Sequence, residues 1–314
     1  MQWADRIGRR LKLQDMHVLL ATVQWGSMAK AADRLGISQP VVSRSIASLE
    51  HALGVRLLDR SRNGVEPTMY GRALLAHGVA AFNELKQGVK AIEFLADPTA
   101  GELRIGSPEP TQAGLLSAII DRLSTQYPRL AFHVIDGEPP NLQDRELRAR
   151  TIDLMIGRLP GASSAQEIEV EVLLRERAFV VAGLQSRWTR RRKIELAELV
   201  NEPWCLPPPE TFPGSLIAEA FQARRLDVPR TSVAALSIHM QNALLATGRF
   251  LTILPGTMLH FSAKRLGLKI LPVDLPFKPW PVGIVTLKNR TLSPVVQLFI
   301  DCARKVASPL AKAD

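Results

Sequence analysis

The stretch Ala31-Ala32-Asp33-Arg34-Leu35-Gly36-Ile37-Ser38-Gln39-Pro40-Val41-Val42-Ser43-Arg44-Ser45-Ile46-Ala47-Ser48-Leu49-Glu50-His51-Ala52-Leu53-Gly54 decides the fold of the first quarter of this 314-residue chain. Ala31, Ala32 and Leu35 recur at the spacing of one helix face, and the pattern stops at Gly36. Ser38 stands where a helix N-cap belongs, with Pro40 in the first turn, where a missing N–H costs nothing. Val42, Ile46, Leu49 and Leu53 then mark the buried side of a longer helix that Gly54 ends.

Upstream, Met16, Leu19, Leu20 and Val23 predict another helix, closed at Trp25-Gly26, and Ser27 is placed to cap the next one through its hydroxyl. Downstream, Val55-Arg56-Leu57-Leu58 and Val65-Glu66-Pro67-Thr68 flank the polar turn Ser61-Arg62-Asn63-Gly64, and Asn-Gly is a strong hairpin signal. Three helices and a hairpin make a winged helix-turn-helix. From Met69 to about Leu95 the pattern becomes one long helix, with Leu75, Phe82, Leu85, Val89 and Ile92 mostly three and four apart. Such a stripe calls for a partner helix, most economically from a second subunit. Ala96–Gly101 reads as a linker.

Beyond residue 101 short apolar runs alternate with amphipathic helical stretches such as Leu115–Gln126 and Leu216–Arg224. The runs are Leu103–Gly106, Ala131–Ile135, Asp153–Gly157, Phe179–Gly183 and Leu251–Leu254, and the alternation predicts an α/β region with mostly parallel sheets. The whole is thus an α+β multidomain chain: a winged helix-turn-helix at 13–72, a linker and dimerisation helix at 73–96, and a third region at 101–314. No apolar run reaches the ~18–20 residues of a membrane span. No secretory pattern opens the chain, and Cys205 and Cys302 alone make neither a disulfide framework nor a zinc site. A cytoplasmic protein without metal or cofactor is expected. The 40 basic against 30 acidic residues, a formal +10, favour an anionic partner without identifying it.

Residues 31–54 resemble closely the signature of the LysR-type transcriptional regulators. Gly26-Ser27 before them, and Leu57-Leu58-Asp59-Arg60 with Thr68 and Gly71 after them, extend the match without a gap. A weaker similarity reaches nearly the whole chain, in places to the subgroup around regulators of galactose-binding proteins. The resemblance implies sequence-specific binding of double-stranded promoter DNA, with an inverted-repeat site, by a homo-oligomer built as a dimer of dimers, a homotetramer. RNA polymerase is a further candidate partner. For 101–314 it implies a periplasmic-binding-protein-like (type 2) fold of two subdomains with a small-molecule effector between them, a sugar or an organic acid.

The DNA reading has support in the residues themselves. A recognition helix presents polar side chains at its exposed amino-terminal end, which enters the major groove. Gln39, Ser43 and Arg44 sit there opposite Val42, Ile46 and Leu49; Gln suits adenine and Arg suits guanine O6/N7. Pro40 offers apolar surface or shapes the turn. Ser27, Ser38 and Thr68 are placed for the sugar-phosphate backbone, and Arg60 and Arg62 flank the wing within reach of phosphates or the minor groove. Residues 1–72 carry 11 Lys/Arg against 6 Asp/Glu, and Arg6, Arg9, Arg10 and Lys12 precede the resemblance.

Effector contacts are expected at loops after strands: Ser107, Glu109, Thr111, Glu138 and Arg158 on one side, Pro207, Ser237, His239, Pro255 and Gly256 on the other. Arg158 suits a carboxylate, whereas Glu109 and Glu138 suit sugar hydroxyls. Arg190-Arg191-Arg192-Lys193 reads as a solvated turn. Catalysis is not expected. The chain has no G-x-S-x-G, G-x-G-x-x-G, Walker-A or H-E-x-x-H motif, and Ser27-Met28-Ala29-Lys30 matches S-x-x-K without a K-T-G partner. An exported solute-binding protein is the other alternative, and the helix-turn-helix argues against it.

Overall fold

The computed structural model describes residues 10–61, 64–159 and 167–311. The chain divides into two compact units, 1–88 and 89–314. The first contains α1 (Leu13–Trp25), α2 (Met28–Leu35), α3 (Gln39–Leu53), β1 (Leu58–Ser61), β2 (Gly64–Pro67) and the start of α4 (Met69–Ala96). Val18, Leu19, Met28, Ala32, Val42, Ile46, Leu49, Leu57 and Leu58 form its core. Each fully buried side chain of that kind contributes about 1.5–3 kcal/mol, so these short helices are held by packing rather than by propensity. Gly36 closes α2 with φ +65°, the left-handed conformation that lets the chain turn directly into α3.

The hairpin forms where expected, with strands that run further than expected. Ser61 pairs opposite Gly64, so both belong to the ladder. Arg62 and Asn63 lie outside the described residues. Gly64 serves close approach: a Cβ there would stand 2.6 Å from the Gly26 carbonyl oxygen, which accepts the Val65 N–H at 3.0 Å. The wing is therefore stitched to the α1–α2 turn. Along α4, Val79 and Leu85 in the first unit are exposed, as are Val89, Ile92 and Leu95 in the second.

The second unit has two sheets. β3 (Ala100–Ser107), α5 (Glu109–Thr111), α6 (Ser117–Gln126), β4 (Arg129–Asp136), α7 (Pro139–Asn141), β5 (Leu154–Arg158) and β6 (Ile168–Glu176) come first in sequence. After β6 the chain passes to β7 (Ala178–Gly183), β8 (Trp204–Leu206), α8 (Phe212–Ala223), β9 (Thr231–Ala234), α9 (Ile238–Ala246), β10 (Leu251–Pro255), α10 (Gly256–Leu266) and β11 (Leu268–Ile270). It returns with β12 (Trp280–Leu287) and ends in α11 (Pro294–Ala311). The sheet orders are β4-β3-β5-β12-β6 and β11-β7-β10-β8-β9.

These sheets are mixed, a correction to the mostly parallel expectation. β3 pairs parallel with β4 and β5, and β8 parallel with β9 and β10, whereas β12 is antiparallel to β5 and β6, and β7 to β10 and β11. The reversal falls on the strands that carry the chain out of one subdomain and back, β6 to β7 and β11 to β12. The linker is also shorter than expected. α4 ends at Ala96 and β3 begins at Ala100, while Asp97 accepts the Thr99 N–H at 3.1 Å and its hydroxyl at 2.7 Å. Arg129 braces the same carboxylate, which hydrogen bonding to Thr99 holds below its usual range.

Buried charge fixes one more point. Asp153, before β5, takes Arg290 Nη2 at 2.5 Å, the Arg104 N–H at 2.9 Å and Lys90 Nζ at 3.6 Å. Lys90 belongs to the last two turns of α4, so this cluster ties the helix end to the sheet.

Candidate nucleic-acid interface and effector cleft

The amino-terminal end of α3 is set by Ser38, extended at φ −80°, ψ 149°, whose carbonyl accepts the Val42 N–H at 3.2 Å. Ser27 starts α2 in the same way, its carbonyl accepting from Ala31 at 3.0 Å. Neither hydroxyl makes a capping bond, a correction to the expected side-chain caps. The carbonyls hold these turns, and the hydroxyls stay available to an external partner.

Gln39, Pro40 and Arg44 are exposed and Ser43 is half-buried, opposite fully buried Val42, Ile46 and Leu49. Gln39 and Ser43, like Pro40 and Arg44, stand one helical turn apart and form two adjacent rows. Arg44 Nε reaches the Pro40 carbonyl only at 3.4 Å, so its terminal nitrogens remain free to form a planar fork. Arg60, on β1, is exposed opposite Val65. Thr68 is committed internally: its hydroxyl donates to the Arg56 carbonyl at 2.8 Å and accepts the Gly71 N–H at 3.1 Å. It joins the wing to α4. Arg62 lies outside the described residues, as do Arg6 and Arg9.

Two supporting residues escaped the sequence reading. Glu50 accepts the Leu57 N–H at 2.8 Å and the Leu58 N–H at 3.3 Å, which anchors the wing on α3. Arg34 stacks on Trp25, its Cζ 4.6 Å from the ring centroid. Neither follows from apolar periodicity.

Between the two subdomains of the second unit lies a cavity of about 400 Å³. Glu109, Thr111, Glu138, Arg158 and Pro255 line it. Ser107, Pro207, Ser237, His239 and Gly256 do not, and each has a local reason. Ser107 is buried at the end of β3 and Pro207 just after β8. Ser237 caps α9 through the Met240 N–H at 3.4 Å, and Gly256 donates to the Arg177 carbonyl at 2.8 Å. His239 exposes its side chain, while its backbone N–H donates to Glu109 Oε1 at 3.3 Å.

The lining includes residues the sequence did not single out: Asp136, Glu176, Phe212, Thr257, Phe277 and Trp280. Asp136 directly precedes the expected Gly137-Glu138 pair, a signal one residue away. The others sit where the chain crosses between subdomains or on the far wall, and no local pattern marks them. Phe277 and Trp280 meet edge to face at 6.3 Å on the second crossing.

Among the described residues Arg158 is the one cation in the lining, against the carboxylates Glu109, Asp136, Glu138 and Glu176. Its Cζ lies 3.4 Å from the Phe212 ring centroid. Burial pulls the guanidinium below its usual value, and the charge of Glu138 opposes that. Glu176 sits on the first crossing and takes the Thr257 N–H at 3.1 Å and its hydroxyl at 2.5 Å, at the start of α10. Burial lifts its carboxyl above the ordinary value, and those hydrogen bonds offset part of the rise. Asp136 accepts from Gln112 Nε2 at 2.8 Å.

A winged helix-turn-helix followed by a two-lobed cleft defines a DNA-binding regulator with a sensing domain. Residues 13–72 match the bacterial regulatory helix-turn-helix model of the lysR family, and residues 96–308 match the LysR substrate binding domain. The chain belongs to the LysR-type transcriptional regulators: it binds DNA, carries a domain for an effector, and is not an enzyme. It is 28% identical to the HTH-type transcriptional regulator GbpR of Azospirillum brasilense, over 91% of this chain and 83% of GbpR. It is 26% identical to the transcriptional dual regulator GltC of Bacillus subtilis, over 83% of this chain and 85% of GltC. The fold is that of full-length OxyR from Pseudomonas aeruginosa, at 20% identity and TM-score 0.62 over 94% of this chain and 98% of that one. Full-length CbnR, solved with its target DNA, has the same fold at 21% identity and TM-score 0.53, over 94% of this chain and 99% of that one. Among the described residues no helix is long and apolar enough to cross a membrane, and no cluster of His, Cys, Asp and Glu has the makings of a metal site.

Proposed function

We propose that this regulator reads an inverted-repeat promoter site as a homo-oligomer and changes its DNA geometry when a sugar-like effector enters the cleft. Residues 13–72 read DNA, 73–96 form the linker and dimerisation helix, and 101–314 bind the effector and hold the oligomer together. Gln39 and Arg44 contact bases, with Pro40 and Ser43 beside them. Ser27, Ser38, Arg60, Arg62 and Thr68 hold the backbone, Thr68 with whatever acceptor capacity its internal bonds leave. One such module reads too few base pairs for genomic specificity, and pairing supplies two half-sites. The exposed Val79, Leu85, Val89, Ile92 and Leu95 support pairing through α4. A dimer of dimers, a homotetramer, follows if the sensing domains pair as well. RNA polymerase is the partner such a promoter-bound regulator would meet in the cytoplasm.

The observation that carries the effector class is the wall of the cleft. Four carboxylates surround it against one guanidinium, and aromatic rings face it. Carboxylates accept hydroxyl protons, and aromatic faces cover the C–H faces of a sugar ring. Arg158 is the observation that favours an organic acid instead, since a half-buried, stacked guanidinium pairs a carboxylate well. The carboxylates outnumber it, so the sugar-like reading is preferred. Ligand binding that favours one cleft geometry shifts the oligomer toward the state with that geometry.

Two experiments test this. Fragments of the source genome bound by full-length protein at ~0.15 M salt, near-physiological ionic strength, should share an inverted repeat. Neutral monosaccharides and simple organic acids should then be compared for their effect on the thermal midpoint. Unrelated fragments recovered uniformly would remove the specific-reader model, and stabilisation by acids alone would reverse the effector class.

A further inference from the structure

The two subdomains touch differently at the depth and at the rim of the cleft. At depth the contact is close: a Cβ on Gly114 would stand 2.7 Å from Met258 Cα, and the Ser262 hydroxyl donates to the Ala113 carbonyl at 2.7 Å. Such packing leaves no room for sliding. At the rim side chains cross: Arg158 stacks on Phe212, and a carboxylate reaches over as well. Glu109, at the start of α5, extends its Oε1 to the His239 N–H in the first turn of α9, 130 residues away in sequence. The other capping donor there, Met240 N–H, already goes to Ser237. Glu109 also lines the cavity, in the same wall as Asp136 and Glu138, with Arg158 as the counter-charge among the described lining residues.

We propose that Glu109 is a clasp across the rim of the cleft and, through its charge, the specificity-determining residue that turns the cavity away from anionic ligands. The carboxylate satisfies an N–H that α9 leaves without an intrahelical partner, and the positive end of the helix favours a negative charge at that point. A ligand carboxylate would have to displace Glu109 or lie beside it, and either arrangement is opposed by like charge at short range. A neutral hydroxyl meets no such opposition. The clasp itself stands on the structure alone; its role in selection rests on the cavity being the effector site.

Two substitutions in the full-length protein separate the parts. Glu109→Gln keeps an oxygen acceptor for His239 and removes the charge; Glu109→Ala removes both. Hydrogen exchange resolved to single residues should show the His239 amide protected in the wild type and the Gln variant. In the Ala variant it should exchange at least tenfold faster, with the Met240 amide as internal control. Succinate, titrated as the anionic probe by calorimetry, should bind both variants at least tenfold more tightly than the wild type. Unchanged His239 exchange in Glu109→Ala overturns the clasp. Unchanged succinate affinity in both variants overturns the selection by charge. Failure of every neutral sugar to stabilise the wild type would refute the effector class and leave the exchange result intact.

Discussion

Replacing Arg44 by alanine separates base reading from folding. Val42, Ile46 and Leu49 hold α3 against α1 and α2, whereas Arg44 is exposed and has only a 3.4 Å contact to Pro40. An exposed helical Arg→Ala change away from packing alters stability by no more than about 0.5 kcal/mol. A bidentate Arg contact to guanine discriminates by about 1–3 kcal/mol, roughly 5- to 150-fold. With two copies on a dyad, as proposed, the loss on the full operator should be about 2–6 kcal/mol. On non-specific DNA the loss should be only the small electrostatic share of one charge per subunit. The assay is competitive binding at fixed salt, with the operator, single-base operator variants and random duplex as competitors. Preference should relax at one symmetric pair of positions and nowhere else. Equal losses on operator and random duplex would refute the reasoning and make Arg44 a phosphate contact. A thermal midpoint lowered by several degrees would refute the claim that α3 does not need the side chain.

Arg60→Ala should weaken all sequences alike and reduce the slope of log K against log salt by about 1, which a salt titration on random duplex would show. Asp153→Ala should cost about 3–5 kcal/mol in urea unfolding of the sensing region, because it takes the carboxylate at 2.5 Å from a buried guanidinium and leaves its charge uncompensated there; a loss under 1 kcal/mol would refute it. Glu176→Gln should flatten the pH dependence of stability. Burial lifts the folded-state carboxyl above its ordinary value of 4.5, so the folded protein holds that proton more tightly than the unfolded chain. The favourable contribution is present below about that ordinary value and is lost as pH rises through the folded value. Relative to wild type, the variant should therefore gain urea resistance at pH 8 but not at pH 4. Equal differences at both pH values would mean that the group does not titrate as inferred.

The first unit was legible because its signals are local. Ala31, Ala32 and Leu35 repeat at helical spacing, Gly36 and Gly54 stop the helices in left-handed turns, and the structure keeps α2 and α3 where those residues imply. What the sequence concealed there depends on partners distant in the chain. Glu50 shows as an ordinary helical glutamate until Leu57 and Leu58 come to it, and Gly64 shows as a turn residue until Gly26 does. In the second unit β3, β4, β5, β7 and β10 were readable, whereas the short β8, β9 and β11, the returning β12 and also β6 were not, although Ile168-Glu169-Val170-Glu171-Val172 in β6 alternates plainly. Its register shifts between Val282 and Gly283 of the neighbouring strand, which pair with Leu174 and Val172, so a bulge at Leu173 breaks the period. Val170 and Val172 stay exposed while Leu174 is buried.

That break has a consequence for the cleft. With the bulge at Leu173, the strand reaches Glu176 with its carboxyl buried against Thr257 rather than facing solvent. Glu176 thus stands at the point where one covalent crossing, the start of α10 and the cavity wall coincide. The second crossing brings Phe277 and Trp280 to the same cavity. If this cavity is the effector site proposed above, a ligand that fills it meets both segments about which the subdomains would move, and a contact of modest energy then acts on the angle between them. Walls remote from the crossings would bind a ligand equally well and transmit less. On that proposal the residues least legible in the sequence are the ones that would convert occupancy into a change of shape: a crossing strand needs only to span two sheets, and its local pattern carries no trace of what it passes.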